Sequence, residues 1–185
     1  MVDCTKKAPR WLLMALVVGM ALCGVDGSWA NEPDAWRQLF TDGVKAREAA
    51  HYAEAEQLLQ RALRGAEQVS PDDPRVATAA NNLGLLYHDE GRLQEAQSLY
   101  TRALAIWEQQ LGPEHEDVAA ALNNLAEIAH AEGDWGRAEP LYERVLAIER
   151  KVLGAAHPDV AISLNNLAEL YRKQGRETAA ESMYH

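Results

Sequence analysis

The sequence predicts an all-α protein, an α-solenoid of antiparallel helix pairs stacked side by side. Two observations carry this. The word Asn-Asn-Leu begins at Asn81, Asn123 and Asn165, always 42 residues apart, and the text after each copy stays in register. Within each copy, apolar residues recur at helical spacing in two runs separated by a glycine. A fixed period of roughly twenty to fifty residues marks stacked supersecondary units rather than one central core.

Residues 1–30 are read as a cleaved signal peptide. Lys6, Lys7 and Arg10 form a basic start, Trp11 to Val25 is an uncharged apolar run, and Ser28-Trp29-Ala30 places small residues where a signal peptidase reads. The run is 15 residues long, short of the roughly 20 that span a bilayer as a helix. An uncleaved signal anchoring the chain to a membrane is the alternative. Leu22 before Cys23 is too large for the usual lipid-attachment site. The expected location is periplasmic or secreted.

Cleavage after Ala30 leaves residues 31–185, a length that suits one repeat domain. Both cysteines, Cys4 and Cys23, leave with the signal, so neither a disulfide nor a thiolate metal site is expected. The net charge goes from −10 to −11, because three basic and two acidic residues are removed. So acidic a surface repels phosphate backbones and anionic membranes, so neither nucleic acid nor a membrane is an expected partner after signal cleavage.

The first unit, about 34–70, is degenerate. With a 41-residue offset, Leu39, Gly43, Ala55, Leu59, Ala62 and Leu63 take the repeat positions, and Gln60-Arg61-Ala62-Leu63 parallels Thr101-Arg102-Ala103-Leu104. Terminal repeats are often atypical because one face meets water. The second unit, 74–112, is the clearest. Val76, Ala80, Leu83, Gly84 and Tyr87 form one helical stripe, Gly91 breaks it, and Leu93, Ala96, Leu99, Tyr100, Ala103, Leu104, Trp107 and Leu111 form another. Gly112-Pro113 ends the second helix. The two helices of a unit are called helix A and helix B.

The third unit, 116–154, repeats this text with Ala129 in place of Tyr87 and with Pro140 near the start of helix B. The fourth, 158–185, stops at Tyr184-His185 partway through helix B. Leu167, Leu170 and Tyr171 are therefore expected to lie under-covered. Either the chain is truncated there, or that end meets another chain. Aspartate or histidine precedes each of these helices A, at Asp73, His115 and His157, and is read as a helix-start residue.

These residues resemble the tetratricopeptide repeat. Leu83, Gly84, Tyr87, Ala96, Tyr100 and Ala103 match its pattern, followed by Leu125, Ala126, Ala138, Tyr142 and Val145, then by Leu167, Ala168, Tyr171, Ala180 and Tyr184. The leading tryptophan of the pattern is replaced by Ala80, Leu122 and Leu164. The 42-residue length, with Leu-Gly-x-x-His and Asn-Asn-Leu, is similar to the kinesin light chain branch.

The resemblance implies that helix A lines a concave groove for extended peptides. It also implies that Asn81, Asn82, Asn123, Asn124, Asn165 and Asn166 hold ligand backbone, since an amide both donates and accepts. The other reading is that one asparagine of each pair bonds a neighbouring helix and keeps the stack in register. On the second face of helix A lie Thr78, Asn81, Leu85 and His88, then Ala120, Asn123, Glu127 and His130, then Ile162, Asn165, Glu169 and Arg172. The first unit contributes Arg37, Phe40, Val44 and Arg47. Arg37, Arg47 and Arg172, with His88 and His130 when protonated, outnumber Glu127 and Glu169, which favours a protein or peptide partner carrying acidic residues. The helix B glutamates Glu95, Glu108, Glu139, Glu143 and Glu149 are read as a solvated convex side.

No phosphate-cradling loop, nucleophile elbow or paired metal-binding histidines appear, and Gly133-Asp134-Trp135-Gly136 reads as an inter-helix turn. The expectation is an exported, non-enzymatic binding scaffold without a cofactor or a metal. The alternative is self-association, or completion of a partner's solenoid, through the uncapped C-terminal repeat.

Overall fold

In the computed structural model, residues 33–184 are described, so the signal-peptide reading and both cysteines lie outside the described residues. The described residues form eight α-helices: α1 Pro33–Glu48, α2 Tyr52–Val69, α3 Pro74–Asp89, α4 Leu93–Leu111, α5 Glu116–Ala131, α6 Trp135–Val152, α7 Pro158–Lys173 and α8 Glu177–Ser182. Each packs on the helix before it and the helix after it, and α1 also touches α3. This one-dimensional contact order is that of a solenoid, in which each unit buries its stripe against its neighbours. Helices α1, α3, α5 and α7 are the helices A.

Short left-handed turns join helix A to helix B. Gly91, Gly133 and Gly175 occupy φ of +76°, +75° and +73°, and Ala50 holds the same place in the first unit at φ 57°. The chain then turns back on itself, with Arg92 N–H donating to Tyr87 O and Arg176 N–H to Tyr171 O, both at 2.8 Å. Between units, the residues expected to start helix A cap it. Asp73 accepts from Arg75 N–H at 2.8 Å, and the Nδ1 atoms of His115 and His157 accept from the N–H of Asp117 and Asp159 at 3.2 and 3.3 Å.

The core runs along the stack between the helices. Within the second unit Tyr100, 1% exposed, lies beneath Gly84 so closely that a Cβ there would stand 2.7 Å from its ring. At the N-terminal end Trp36 stacks on Phe40, with centroids 5.1 Å apart, and its Nε1–H donates to Ala62 O. At the other end the structure departs from expectation. Leu167, Leu170 and Tyr171 are buried, because α8, six residues long, lies across them with Ala180 buried and Met183 packed alongside.

The helix B glutamates also differ from the solvated face expected of them. Four of the five tie one unit to the next. Glu108 pairs with Arg144 at 2.6 Å, Glu139 with Arg176 at 2.7 Å, Glu143 accepts from Tyr171 OH, and Glu149 accepts from Ser163 OH. Arg102 and Glu67 repeat the Arg144–Glu108 bridge one unit earlier. Helix-face charges read as solvent-facing were half of a pair whose other half lay a repeat away.

Candidate peptide-binding groove

The second face of helix A is uncovered step by step along the stack. Asn81 is buried at 8% exposure, Asn123 is half-buried and Asn165 is exposed. The mediocre helix propensity of asparagine makes its repeated use here informative, and the structure separates the six. Asn124 Nδ2 donates to Asn81 Oδ1 at 3.0 Å, joining α5 to α3. Asn82 Nδ2 donates back to Thr78 O in its own helix at 2.9 Å. Each of these three amides makes one bond, part-buried within the stack.

Asn123 and Asn165 also make one bond each, but theirs are exposed. Asn123 Nδ2 donates to Glu127 at 2.8 Å, and its Oδ1 meets no protein donor among the described residues. Asn165 Oδ1 accepts from Tyr184 OH at 3.2 Å, leaving its NH2 to solvent. Asn166, equivalent to Asn124, is half-buried and is not bonded to Asn123 among the described residues.

Around the amides sits a polar frame. His88, His130 and Arg172 lie in the last turns of α3, α5 and α7, where the helix dipole favours positive charge. The His130 ring meets Tyr142 edge-on at 6.4 Å. Arg47, in the last turn of α1, bridges to Asp89 at 3.0 Å, while its Nε is buried without an acceptor among the described residues. Arg37 is exposed on α1, and Glu169 is half-buried on α7.

Beneath the frame Tyr100 and Tyr142 are buried. Burial pushes both hydroxyls well above the ordinary phenol value, and the charge of Glu127 adds to the rise at each. Both therefore remain phenols at neutral pH. Asp89 belongs to this surface, and Tyr100 and Tyr142 support it from below, although sequence reasoning left them out. Asp89 was findable, since it stands 42 residues after Arg47 with opposite charge. The tyrosines read as core, which they also are.

Chemically this surface presents amide, imidazole, guanidinium and carboxylate groups on a rigid helical lattice. Among the described residues no cluster of His, Cys, Asp or Glu could hold a metal ion, and no helix is long and apolar enough to cross a membrane.

The family model for the tetratricopeptide repeat matches residues 46–109, 75–148 and 117–184. The chain belongs to the tetratricopeptide repeat family. Repeats of this family are scaffolds that mediate protein–protein contact. Among solved structures, the chain is similar to BtubC (BKLC) from P. vanneervenii, at 26% identity and a TM-score of 0.75 over 82% of this chain. It spans 61% of the length of that chain. It is also similar to kinesin light chain nearly identical TPR-like repeats from P. anserina, at 25% identity and a TM-score of 0.71, covering 94% of this chain and 81% of that one. MamA, at 18% identity and a TM-score of 0.62, covers 83% of this chain and 76% of its own, and shares the fold alone. No curated protein matches the chain.

Proposed function

We propose that this tetratricopeptide repeat protein is an exported scaffold that captures an extended segment of a partner protein along the helix A face. The observation that carries the reading is the split among the asparagines. The single bonds of Asn81, Asn82 and Asn124 are part-buried within the stack, whereas those of Asn123 and Asn165 are exposed and leave an amide oxygen and an amide NH2 for a ligand at repeat-equivalent positions. A peptide main chain needs an acceptor and a donor in alternation, and this pair supplies one of each.

Side chains of the captured segment would meet His88, His130, Arg172 and Arg37, which favour acidic groups, and Glu127 and Glu169, which oppose them. Arg47 is already balanced by Asp89 and contributes shape more than charge. An extended segment loses conformational entropy on capture, so one peptide binds with modest affinity. Export rests on residues 1–30 alone.

A peptide-display selection on the full chain tests this. Selected peptides should bind Asn123→Ala/Asn165→Ala at least tenfold more weakly than the native protein, with helicity unchanged by circular dichroism. Equal binding by the two folded proteins would move the interaction off the helix A face. Concentration-dependent mass without any peptide would favour self-association instead.

A further inference from the structure

Trp107 and Glu149 hold equivalent positions, 42 residues apart, near the ends of α4 and α6. Trp107 is 4% exposed and fills its place between units. Glu149 is smaller and charged, and beside it lies a cavity of about 190 Å³. Its walls come from three helices: Glu116 and Ala120 on α5, Ile148, Glu149 and Val152 on α6, and Asp159 on α7.

A second change accompanies the first. Ser163, 3% exposed, donates to Glu149 Oε2 at 2.6 Å, and its equivalent one unit earlier is Ala121. A tryptophan facing small residues has thus become a carboxylate with a buried hydroxyl that fixes its direction. Three carboxylates line the cavity and neither a lysine nor an arginine does. Burial, reinforced by the charge of Asp159, holds the Glu149 carboxyl above its ordinary value. The Ser163 bond and the charge of His157 pull it back only in part.

The space falls below the few hundred Å³ of a small-molecule pocket, so a single side chain suits it better than a cofactor. Its walls are mixed, with Ile148 and Ala120 apolar and Val152 48% exposed at the rim. A long aliphatic stem ending in a cation matches that mixture. The guanidinium fork, weakly hydrated and planar, suits a half-buried carboxylate better than an ammonium does. Ala120 belongs to both the cavity wall and the helix A row. Ile162, 60% exposed, continues that row one turn beyond Asp159.

We infer that this cavity is a specificity pocket for an arginine side chain of the captured segment, its stem against Ile148, Val152 and Ala120 and its guanidinium on Glu149, Glu116 and Asp159. The assignment deepens the scaffold reading and rests on it for the segment that carries the arginine. It sets the acidic margin at the start of the helices A against the His88, His130 and Arg172 margin at their ends.

The test titrates the full chain with N-acetylarginine methylamide and, separately, with N-acetylnorleucine methylamide, followed by backbone amide NMR. The arginine probe should shift the signals of Glu149, Ala120 and Val152 and bind at least tenfold more tightly than norleucine. Glu149→Gln keeps the Ser163 bond and the shape, and should weaken the arginine probe at least fivefold, whereas Glu95→Gln should not. Glu149→Trp should abolish binding by refilling the space, and melting curves for both Glu149 variants show whether they stay folded. Equal binding of the two probes, or equal binding by native protein and Glu149→Gln, overturns the pocket. If the arginine probe behaves as expected while no peptide binds the helix A face, the pocket stands and the groove reading fails. If groove peptides bind but lose nothing in Glu149→Gln, the groove stands and the pocket falls.

Discussion

Asn124 donates a 3.0 Å hydrogen bond to Asn81, 43 residues away on the adjoining helix A. The acceptor is 8% exposed, so removing the donor strands a buried carbonyl oxygen. Asn124→Ala should therefore lower stability by about 1 kcal/mol, read as a shift of the urea midpoint at constant slope. Asn123→Ala, whose bond to Glu127 is at the surface, should stay within about 0.5 kcal/mol of the native protein. The reverse order would mean that the first asparagine of the pair, not the second, carries the register.

Ala50 stands at φ 57° where the later units use glycine. The left-handed conformation costs an L-residue with a Cβ about 1–2 kcal/mol, partly offset because glycine gains more unfolded-state entropy. Ala50→Gly should raise stability by about 0.5–1 kcal/mol, and Gly91→Ala should lower it. Thermal melts of the two variants check the signs.

Arg92 lies over the Tyr87 ring at 3.7 Å and Arg176 over Tyr171 at 4.2 Å, each also pairing with a glutamate of the preceding unit, Glu56 or Glu139. The middle unit lacks all three members at once, with Gln97, Ala129 and Asp134 in their places. The triple change Gln97→Glu/Ala129→Tyr/Asp134→Arg should stabilise by more than the sum of its single changes, because each member needs the other two. A strictly additive result in denaturant unfolding would show that the members act independently.

Acid should loosen the stack in a defined window. The side-chain hydrogen bond from Arg75 holds Asp73 below its ordinary 3.8, and that from Arg176 holds Glu139 below 4.5. Both folded values are depressed, so both contributions are present in full above those values and are lost as pH falls through the folded ones. Glu149 runs the other way: its folded value is raised, so its burial penalty at neutral pH is relieved on acidification. The expected outcome is that Asp73→Asn and Glu139→Gln flatten the acid limb of a stability–pH curve below about pH 4.5. Glu149→Gln should leave the melting temperature at pH 7 unchanged or raised.

The architecture was legible because it is periodic. Gly91, Gly133 and Gly175 and the stripe from Val76 to Tyr87 marked where helices stop and which face is covered, and the helix caps at Asp73, His115 and His157 followed from position alone. Relations across the repeat were harder to see. Glu108 reads as a solvated charge, and only stacking shows that it pairs with Arg144. The asparagine pairs left two readings open for the same reason, since an amide on a helix face bonds either its neighbour or a ligand. The cavity beside Glu149 was hidden as an ordinary glutamate in a helix B row, although its difference from Trp107 stood in the sequence. The short α8 covers more than its length suggested, because Ala180 and Met183 are the residues that reach Tyr171's cluster.

The measurement that bears most directly on the groove is NMR of the asparagine side-chain NH2 groups in the full chain, with and without a selected peptide. The account predicts that the Asn123 and Asn165 signals, whose bonds are exposed, shift on binding while those of Asn82 and Asn124, whose bonds are part-buried within the stack, stay in place. Shifts confined to Asn82 and Asn124, or to residues of helix B with Asn123 and Asn165 unmoved, would contradict it.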